Sequence, residues 1–239
     1  LLEVDNAPCE KKWVFWSADG YYLVGDFDGY RFTPESEVLS AYRTKLPYAA
    51  QTYAGIDDRI ISVAWLRTEN ERGNYKGMMS IPAELSLVES DDGYRIRFSL
   101  IKEFIKRRRP SEELRRQDKE IEMLLKGKPI EVILKWGVRK TGCTRVLIGK
   151  VCFDIQFGEG KIQVINQGTH SETVTISFDS DSPFDMDIVV DQGVIEFYGS
   201  DGVIYGAIEP EENILHKKFA LESEVEIEVV QIYEILSVL

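Results

Sequence analysis

Tyr48 and Gln51 are the two residues whose types and spacing best suit the recognition of a small polar ligand. Both lie in the sequence YAAQTY at positions 48–53, which has the composition of a short β-strand. A phenol and an amide each donate and accept hydrogen bonds, so the pair suits contact with hydroxyl groups. Ordinary packing within a strand explains the same two residues equally well, and both interpretations stay open at this point.

The other residues capable of chemistry have surroundings that favour structural roles. Asp26 and Asp28 belong to the sequence GDFDG, where Asp is a common turn former. Glu84 lies within a strand pattern, and an ion pair or a hydrogen bond in the sheet explains it better than a supporting role beside an active site does. Trp65 offers a flat face for stacking, but apolar neighbours such as Val63 favour a place in the core.

The charge balance narrows the possible partners. The 239 residues include 29 Lys and Arg and 41 Asp and Glu, which gives a formal net charge of −12. Because phosphate binding relies on a basic face, this composition argues against a nucleic-acid partner, whereas a neutral sugar is compatible with it. The basic sequence KRRR at 106–109, with Arg115 and Arg116, is interpreted as a solvated helix or linker face balanced by nearby acids.

No targeting or membrane segment is apparent in the given residues. The sequence contains no run of about 18 apolar residues, so no membrane span is predicted. The N-terminus lacks the basic region and hydrophobic stretch of a signal peptide. The chain begins with Leu1 rather than Met, which leaves open that a targeting segment or a larger part of the protein precedes it.

Cysteine and histidine usage predicts neither a metal site nor a cofactor. Cys9, Cys143 and Cys152 are widely spaced without a C-x-x-C motif, and only His170 and His216 accompany them. Cys143 and Cys152 could face each other across a hairpin, but reduced cysteines packed as small hydrophobic residues are favoured. This usage weakly favours a cytosolic compartment and otherwise leaves the localisation undetermined.

Short apolar and β-branched runs separated by turn sequences predict antiparallel strands in the N-terminal part. The sequences ADG at 18–20 and DG at 28–29 are tight-turn signals, and YRIRFSL at 94–100 alternates with period two. The run WVFW at 13–16 has no polar position, which predicts burial on both faces. The predicted strands are residues 12–17, 21–26, 30–34, 48–53, 59–66, 78–87 and 94–100.

The composition changes sharply after Ile101, where charged residues alternate with loosely helical apolar positions. The sequence PSEE at 110–113 resembles a helix start, so a helical linker is predicted. From Pro129 onward, many short strand patterns punctuated by Gly and Asp predict a β-sandwich. The expected organisation is an all-β chain with domains at residues 1–101 and 129–239, joined by a helical linker at 102–128.

Three sequence patterns resemble glycoside hydrolase family 32, the family of invertases, levanases, inulinases and sucrose-6-phosphate hydrolases. YAAQTY at 48–53, followed by the strand pattern at 59–66 and IPAELSL at 81–87, is similar to the last propeller blade of that family. The segment from KWV to FTPE at 12–35 is similar to the outer strands of the preceding blade. DIVVDQGVIEFY at 187–198, with SDG following and IYEILSVL at the end, resembles the family's C-terminal sandwich.

The resemblance implies a partial five-bladed β-propeller, about the last one and a half blades, followed by a C-terminal β-sandwich. It also implies that Tyr48 and Gln51 lie on an innermost strand near the substrate pocket. KLP at 45–47 departs from the Gly-x-Asp-Phe-like segment that often leads into this motif in the family, so a fructose contact from that loop is not carried over.

The catalytic signatures of the family do not occur in this sequence. In the family, the catalytic carboxylates lie in W-M-N-D-P-N-G, R-D-P and E-C-P motifs, and all three are absent here. LLEV at 1–4 is similar to the segment directly after E-C-P, so the chain is expected to begin just downstream of the catalytic acid. Because a retaining glycosidase needs two carboxyl groups about 5 Å apart, we expect this chain alone to be inactive.

The predicted function is that of the C-terminal portion of a β-fructofuranosidase-like enzyme that acts on sucrose or fructans. The alternative is a non-catalytic carbohydrate-binding or interaction module built from the same parts. A partial propeller exposes blade faces that a closed ring covers, here around Trp13, Trp16 and Tyr48. Since such apolar surface rarely stays bare, self-association through the N-terminal blades is expected.

Overall fold

The computed structural model describes residues 1–5, 7–69, 76–90, 93–110, 120–167, 172–191, 193–211 and 214–236. These residues form β-strands almost throughout, which confirms the all-β prediction. Contacts divide the chain into two compact units, Leu1–Lys102 with Asp201–Ala207, and Glu103–Ser200 with Ile208–Leu239. In the described part of the chain, no helix is long and apolar enough to cross a membrane.

Short antiparallel strands build the first unit. They are β1 (Leu2–Val4), β2 (Ala7–Trp16), β3 (Tyr21–Phe27), β4 (Phe32–Pro34), β5 (Leu39–Ser40), β6 (Pro47–Thr52), β7 (Ile61–Leu66), β8 (Met78–Met79), β9 (Ala83–Ser90) and β10 (Gly93–Leu100). The strand order is β4-β3-β2-β1-β9-β7-β6, with β10 paired to β9, β5 to β3 and β8 to β7. The contact of β1 with β9 is parallel, while the neighbouring pairs are antiparallel.

Aromatic side chains form the core of the first unit. The ring centre of Trp16 lies 6.0 Å from that of Tyr22, 5.9 Å from that of Tyr42 and 6.1 Å from that of Phe98. Phe98 in turn lies 4.8 Å from Tyr205. Trp16, Tyr22 and Phe98 lie on β2, β3 and β10, and period-two alternation makes their neighbours in sequence point the other way.

The expectation that residues 13–16 are buried on both faces is wrong. Trp13 is 40% exposed and Phe15 is 65% exposed. Both point to the face of β2, β3 and β4 opposite the core, where they contact Phe27 and Phe32 at 5.3 and 5.9 Å between ring centres. We call Trp13, Phe15, Phe27 and Phe32 the aromatic face of the first unit.

The second unit contains two sheets. Its elements are α1 (Lys102–Ile105), which starts at the unit boundary, β11 (Arg108–Pro110), β12 (Glu120–Leu124), β13 (Ile130–Trp136), β14 (Cys143–Ile148), β15 (Val151–Gln156), β16 (Lys161–Asn166), β17 (Glu172–Ser177), β18 (Phe184–Asp191), β19 (Val194–Gly199), a 3-10 helix (Ile214–His216), β21 (Lys218–Ser223) and β22 (Val229–Ile235). β20 (Ile204–Ile208) has its first four residues in the first unit. The sheet orders are β11-β22-β13-β18-β19 and β12-β21-β14-β15-β16-β17.

The two sheets of the second unit pack face to face around an apolar core. Phe153 on β15 and Phe197 on β19 are fully buried, and their ring centres lie 5.4 Å apart. Trp136 on β13 lies 5.2 Å from Phe157 and 5.7 Å from Phe184. Because Phe153 and Phe197 belong to different sheets, the second unit is a β-sandwich.

The described part of residues 102–128 contains two strands and one short helix rather than the expected helical linker. Only Lys102–Ile105 is helical, while β11 pairs with β22 and β12 pairs with β21. Ile121 in β12 and Leu125 just after it are buried, with Met123 half-buried between them, so the inward positions follow a period of two that the charged composition obscured. Residues 111–119, with Arg115 and Arg116, lie outside the described residues.

Candidate functional site

A β-bulge brings Tyr48 and Gln51 to the same face of the first unit. Residues three apart on a regular strand point to opposite faces. In β6 the register shifts by one residue, so that Tyr48 is opposite Trp65 and Gln51 is opposite Val63. Val63 and Trp65 are two apart on β7 and therefore share a face. Tyr48 and Gln51 consequently lie on that face too.

The bulge depends on an unusual backbone conformation at Ala49. Its φ of 47° lies in the left-handed region, which costs a non-glycine residue about 1–2 kcal/mol. The N–H of Ala49 donates a hydrogen bond to the carbonyl of Ala18 at 2.7 Å. A bulge whose first residue is left-handed is a known way to re-aim side chains on a strand. Contact with the Ala18 turn therefore helps to hold the shift that aligns Tyr48 and Gln51.

Tyr48 is held between an aromatic ring and a cation. Its ring centre lies 6.2 Å from that of Trp65 at an interplanar angle of 66°. The guanidinium of Arg67 lies 4.5 Å from the Tyr48 ring centre, within cation–π range. Arg67 also donates a hydrogen bond to the carbonyl of Lys45. Tyr48 is half-buried and Gln51 is exposed, so the amide of Gln51 is accessible from solvent.

Trp65 is 43% exposed, and the prediction that it lies in the core is wrong. Ala64 and Leu66 on either side of it point inward and are buried. A Cβ added to Gly77, whose φ is 86°, would lie 2.3 Å from Nε1 of Trp65, so the indole rests against the Gly77 backbone. Met79, which is opposite Trp65 and 58% exposed, extends this surface.

We call Tyr48, Gln51, Trp65, Arg67 and Met79 the β6–β7 face. It combines aromatic area with hydrogen-bond donors and acceptors, which is the chemistry needed to stack a sugar ring and bind its hydroxyl groups. The sequence analysis selected Tyr48 and Gln51 but missed Arg67 and Met79. The period-two spacing from Val63 through Trp65 to Arg67 is the signal that could have identified Arg67.

The acids near the first turns have structural partners. Oδ1 of Asp28 accepts hydrogen bonds from the N–H groups of Tyr30 at 2.8 Å and Arg31 at 2.7 Å. These two bonds lower the pKa of Asp28 below its ordinary value, and the bond from Arg31 has the larger effect. Asp26 forms a long ion pair with Lys12, at 3.5 Å. The turn interpretation therefore agrees with the contacts of Asp28, whereas Asp26 lies in strand β3.

The remaining sequence candidates are also in structural contacts. Glu84 pairs with Arg59 at 3.9 Å. Sγ of Cys143 donates to Oδ1 of Asp154 at 2.7 Å, and burial together with this bond raises the pKa of the Cys143 thiol to about 12. Cys143 and Cys152 are both free thiols. Among the residues that the structure describes, no three His, Cys, Asp or Glu side chains cluster as metal ligands.

Comparison with protein families gives one match. Residues 13–97 match the model for the glycosyl hydrolases family 32 N-terminal domain. The matched region contains the whole β6–β7 face and the aromatic face. No curated protein sequence matches the chain.

Solved structures share the fold over almost the whole chain. An exo-inulinase from Aspergillus awamori superposes with a TM-score of 0.81 at 18% identity, covering 99% of this chain and 56% of the exo-inulinase. A fructofuranosidase from Schwanniomyces occidentalis complexed with fructose gives a TM-score of 0.76 at 16% identity, with coverages of 99% and 59%. A sucrose-6-phosphate hydrolase from Lactobacillus gasseri gives 0.70 at 16% identity, with coverages of 92% and 48%.

The resemblance to glycoside hydrolase family 32 is therefore confirmed, as is the fold class of a partial β-propeller followed by a β-sandwich. The chain spans about half the length of these solved structures, 56%, 59% and 48% respectively. At these identities the superpositions establish the fold alone.

Proposed function

We propose that this chain is the C-terminal portion of a β-fructofuranosidase-like glycoside hydrolase that acts on β-fructosides such as sucrose or fructans. In this proposal the chain contributes the β6–β7 face to substrate recognition, and the catalytic carboxylates lie outside it. The observation that carries the proposal is the bulge at Ala49, which puts Tyr48 and Gln51 on one face beside exposed Trp65. The similarity to an exo-inulinase and to a fructofuranosidase complexed with fructose supports the choice of a β-fructoside.

Each residue of this face has a role in the proposal. The half-exposed indole of Trp65 offers the apolar side of the sugar ring a flat contact. The Tyr48 hydroxyl and the Gln51 amide donate and accept hydrogen bonds with the sugar hydroxyl groups. Arg67 packs on the Tyr48 ring and limits its movement, so the phenol is positioned before the ligand arrives.

Binding of sucrose and of a short fructo-oligosaccharide to the chain tests this proposal. We expect Tyr48→Phe and Gln51→Leu each to weaken binding about fivefold, because each removes a hydrogen bond worth about 1 kcal/mol. Tyr48→Phe keeps the ring that contacts Trp65 and Arg67, so it isolates the hydroxyl. The measurement is isothermal titration calorimetry, supported by quenching of tryptophan fluorescence.

Tyr30→Phe is the matched control, because Tyr30 is 98% exposed in the turn between β3 and β4 and should not affect affinity. Equal affinities for all variants would contradict the proposed role of the β6–β7 face. Fructose release by the pure chain, abolished by one Asp or Glu substitution, would overturn the assignment of the catalytic carboxylates to another segment. Binding of carbohydrates without a preference for sucrose or fructo-oligosaccharides would favour the alternative, a non-catalytic carbohydrate-binding or interaction module.

The aromatic face supports a second role, association with another copy of this chain. Trp13 and Phe15 are large, exposed and adjacent, and Phe27 extends the same surface at 39% exposure. A contiguous apolar surface of this kind marks interaction sites in soluble proteins. We therefore propose that the N-terminal strands self-associate through it.

Light scattering of the intact chain tests self-association. The parent is expected to exceed the 27.4 kDa monomer mass at micromolar concentration, and Phe15→Glu is expected to return it to the monomer because a carboxylate is costly to bury. Val38→Glu is the control, since Val38 has the same 65% exposure outside the aromatic face. A strictly monomeric parent, or equal association of both variants, would rule this role out.

A further inference from the structure

A row of polar side chains crosses one sheet of the second unit. Arg108 on edge strand β11 reaches over the ring of Tyr233 on β22, with its guanidinium carbon 5.4 Å from the ring centre. On the next strand, Glu131 accepts two hydrogen bonds from Arg108, from Nε to Oε2 at 2.5 Å and from Nη2 to Oε1 at 2.6 Å. This bidentate ion pair uses both carboxylate oxygens of Glu131, whose side chain is fully buried.

Asp187 on β18 continues the row without a comparable partner. Its Oδ2 lies 3.8 Å from Nη2 of Arg108, which is too far for a hydrogen bond. Among the described residues, its buried Oδ1 has no hydrogen-bond partner. Asp187 is diagonal to Glu131 across the β13–β18 pair and on the same face of the sheet, and both carboxyl groups approach Nη2 of Arg108. Two carboxyl groups thus share one guanidinium, and ionising both would leave a buried negative charge without compensation.

The surroundings of Asp187 are predominantly acidic. The titratable and charged groups that face it are Asp185 and Asp191 on β18, Glu196 and Tyr198 on β19, Glu131 and Lys135 on β13, Tyr233 on β22 and Arg108 on β11. Lys135 is exposed and opposite Asp185 rather than Asp187. Within this group, Arg108 is therefore the cation that pairs with the fully buried Glu131 and lies nearest the half-buried Asp187.

We propose that Glu131 and Asp187 share one proton beneath Arg108, and that this proton makes the sheet around β13 and β18 sensitive to pH. With the proton present, the O–H of Asp187 donates to Glu131, and Glu131 keeps both hydrogen bonds from Arg108. When the proton leaves, two adjacent carboxylates compete for one guanidinium. Among the described residues, the buried Oδ1 of the negatively charged Asp187 then has no hydrogen-bond donor.

The direction of the pH effect follows from the surroundings of Asp187. Burial, and after it the charge of Glu131, raises the pKa of Asp187 well above its ordinary value. In the unfolded chain an aspartate has a pKa of about 3.9, so at higher pH the folded chain holds a proton that the unfolded chain has released. The native state is therefore favoured at low pH, and this contribution is lost as the pH rises toward the folded-state pKa.

Asp187→Asn in the full chain tests the shared proton. The parent's urea midpoint is expected to fall between about pH 5 and about pH 8, and that of the variant is expected to fall less. The reason is that an asparagine amide donates to Glu131 at both pH values and carries no proton that titrates. Asp181→Asn is the matched control, because Asp181 is exposed in the same unit and should keep the parent's pH dependence.

Infrared spectroscopy of the parent gives a second measurement that needs no variant to fold. We expect the carbonyl band of one protonated carboxylic acid at neutral pH, which disappears on alkaline titration and is absent from Asp187→Asn. The same pH dependence of the urea midpoint in parent and Asp187→Asn would contradict the proposal. So would a parent spectrum without a protonated carboxyl at neutral pH.

Discussion

Trp136→Ala is expected to lower the free energy of unfolding of the second unit by about 3–5 kcal/mol. Trp136 is 1% exposed and packs against Phe157 and Phe184 at the end of β13. Truncation to alanine removes the largest side chain of this cluster and leaves a cavity that rigid neighbouring strands cannot close. Calorimetric melting of the full chain, or urea unfolding followed by circular dichroism, measures the loss.

Trp136→Phe separates packing from polar effects. Among the described residues, Nε1 of Trp136 is buried without a hydrogen-bond partner, so the parent already bears the cost of desolvating that N–H group. Phenylalanine keeps an aromatic contact with Phe157 and removes the unpaired donor. We expect this variant to lose much less than Trp136→Ala. Equal losses in the two variants would mean that the indole nitrogen contributes through a contact of its own.

The strand pattern of this fold could be predicted well because it depends on local sequence. Turn sequences such as ADG at 18–20 separate β2 from β3 where expected, with Gly20 donating to the Ser17 carbonyl at 3.0 Å. The exposure of whole strand faces was predicted less well. Trp13 and Phe15 were expected to be buried because of their composition, but burial depends on which elements cover a face, and a window of sequence does not contain that information.

The candidate site, too, could be predicted from the sequence only in part. Residue chemistry identified Tyr48 and Gln51, whereas their common orientation requires a bulge at Ala49. An alanine in left-handed conformation has no sequence signature, because its contact with Ala18 is made across the fold. Trp65 was assigned to the core from its apolar neighbours, although alternation along β7 turns it outward. Spacing within a strand was therefore more informative than average hydrophobicity.

Arg108→Met is expected to cost about 3–5 kcal/mol at neutral pH, because it removes the only cation that pairs with Glu131 among the described residues and leaves a fully buried carboxylate without a compensating charge. Arg109→Met is the matched control, since Arg109 is the next residue of the same edge strand and is exposed. Urea unfolding of both variants measures the difference. Equal stabilities would show that the Arg108 pair adds nothing to the sandwich.

The pair of Arg108 and Glu131 can also be removed together. Replacing both residues by apolar side chains of similar size, in Arg108→Met with Glu131→Leu, is expected to restore most of the lost stability because the charge of the fully buried Glu131 is removed together with its cation. The single variant Arg108→Met should recover partly as the pH is lowered, because burial raises the pKa of Asp187 and a protonated Asp187 leaves less charge that needs the guanidinium. A loss that is independent of pH would mean that Arg108 acts through the packing of its side chain on Tyr233 rather than through its charge.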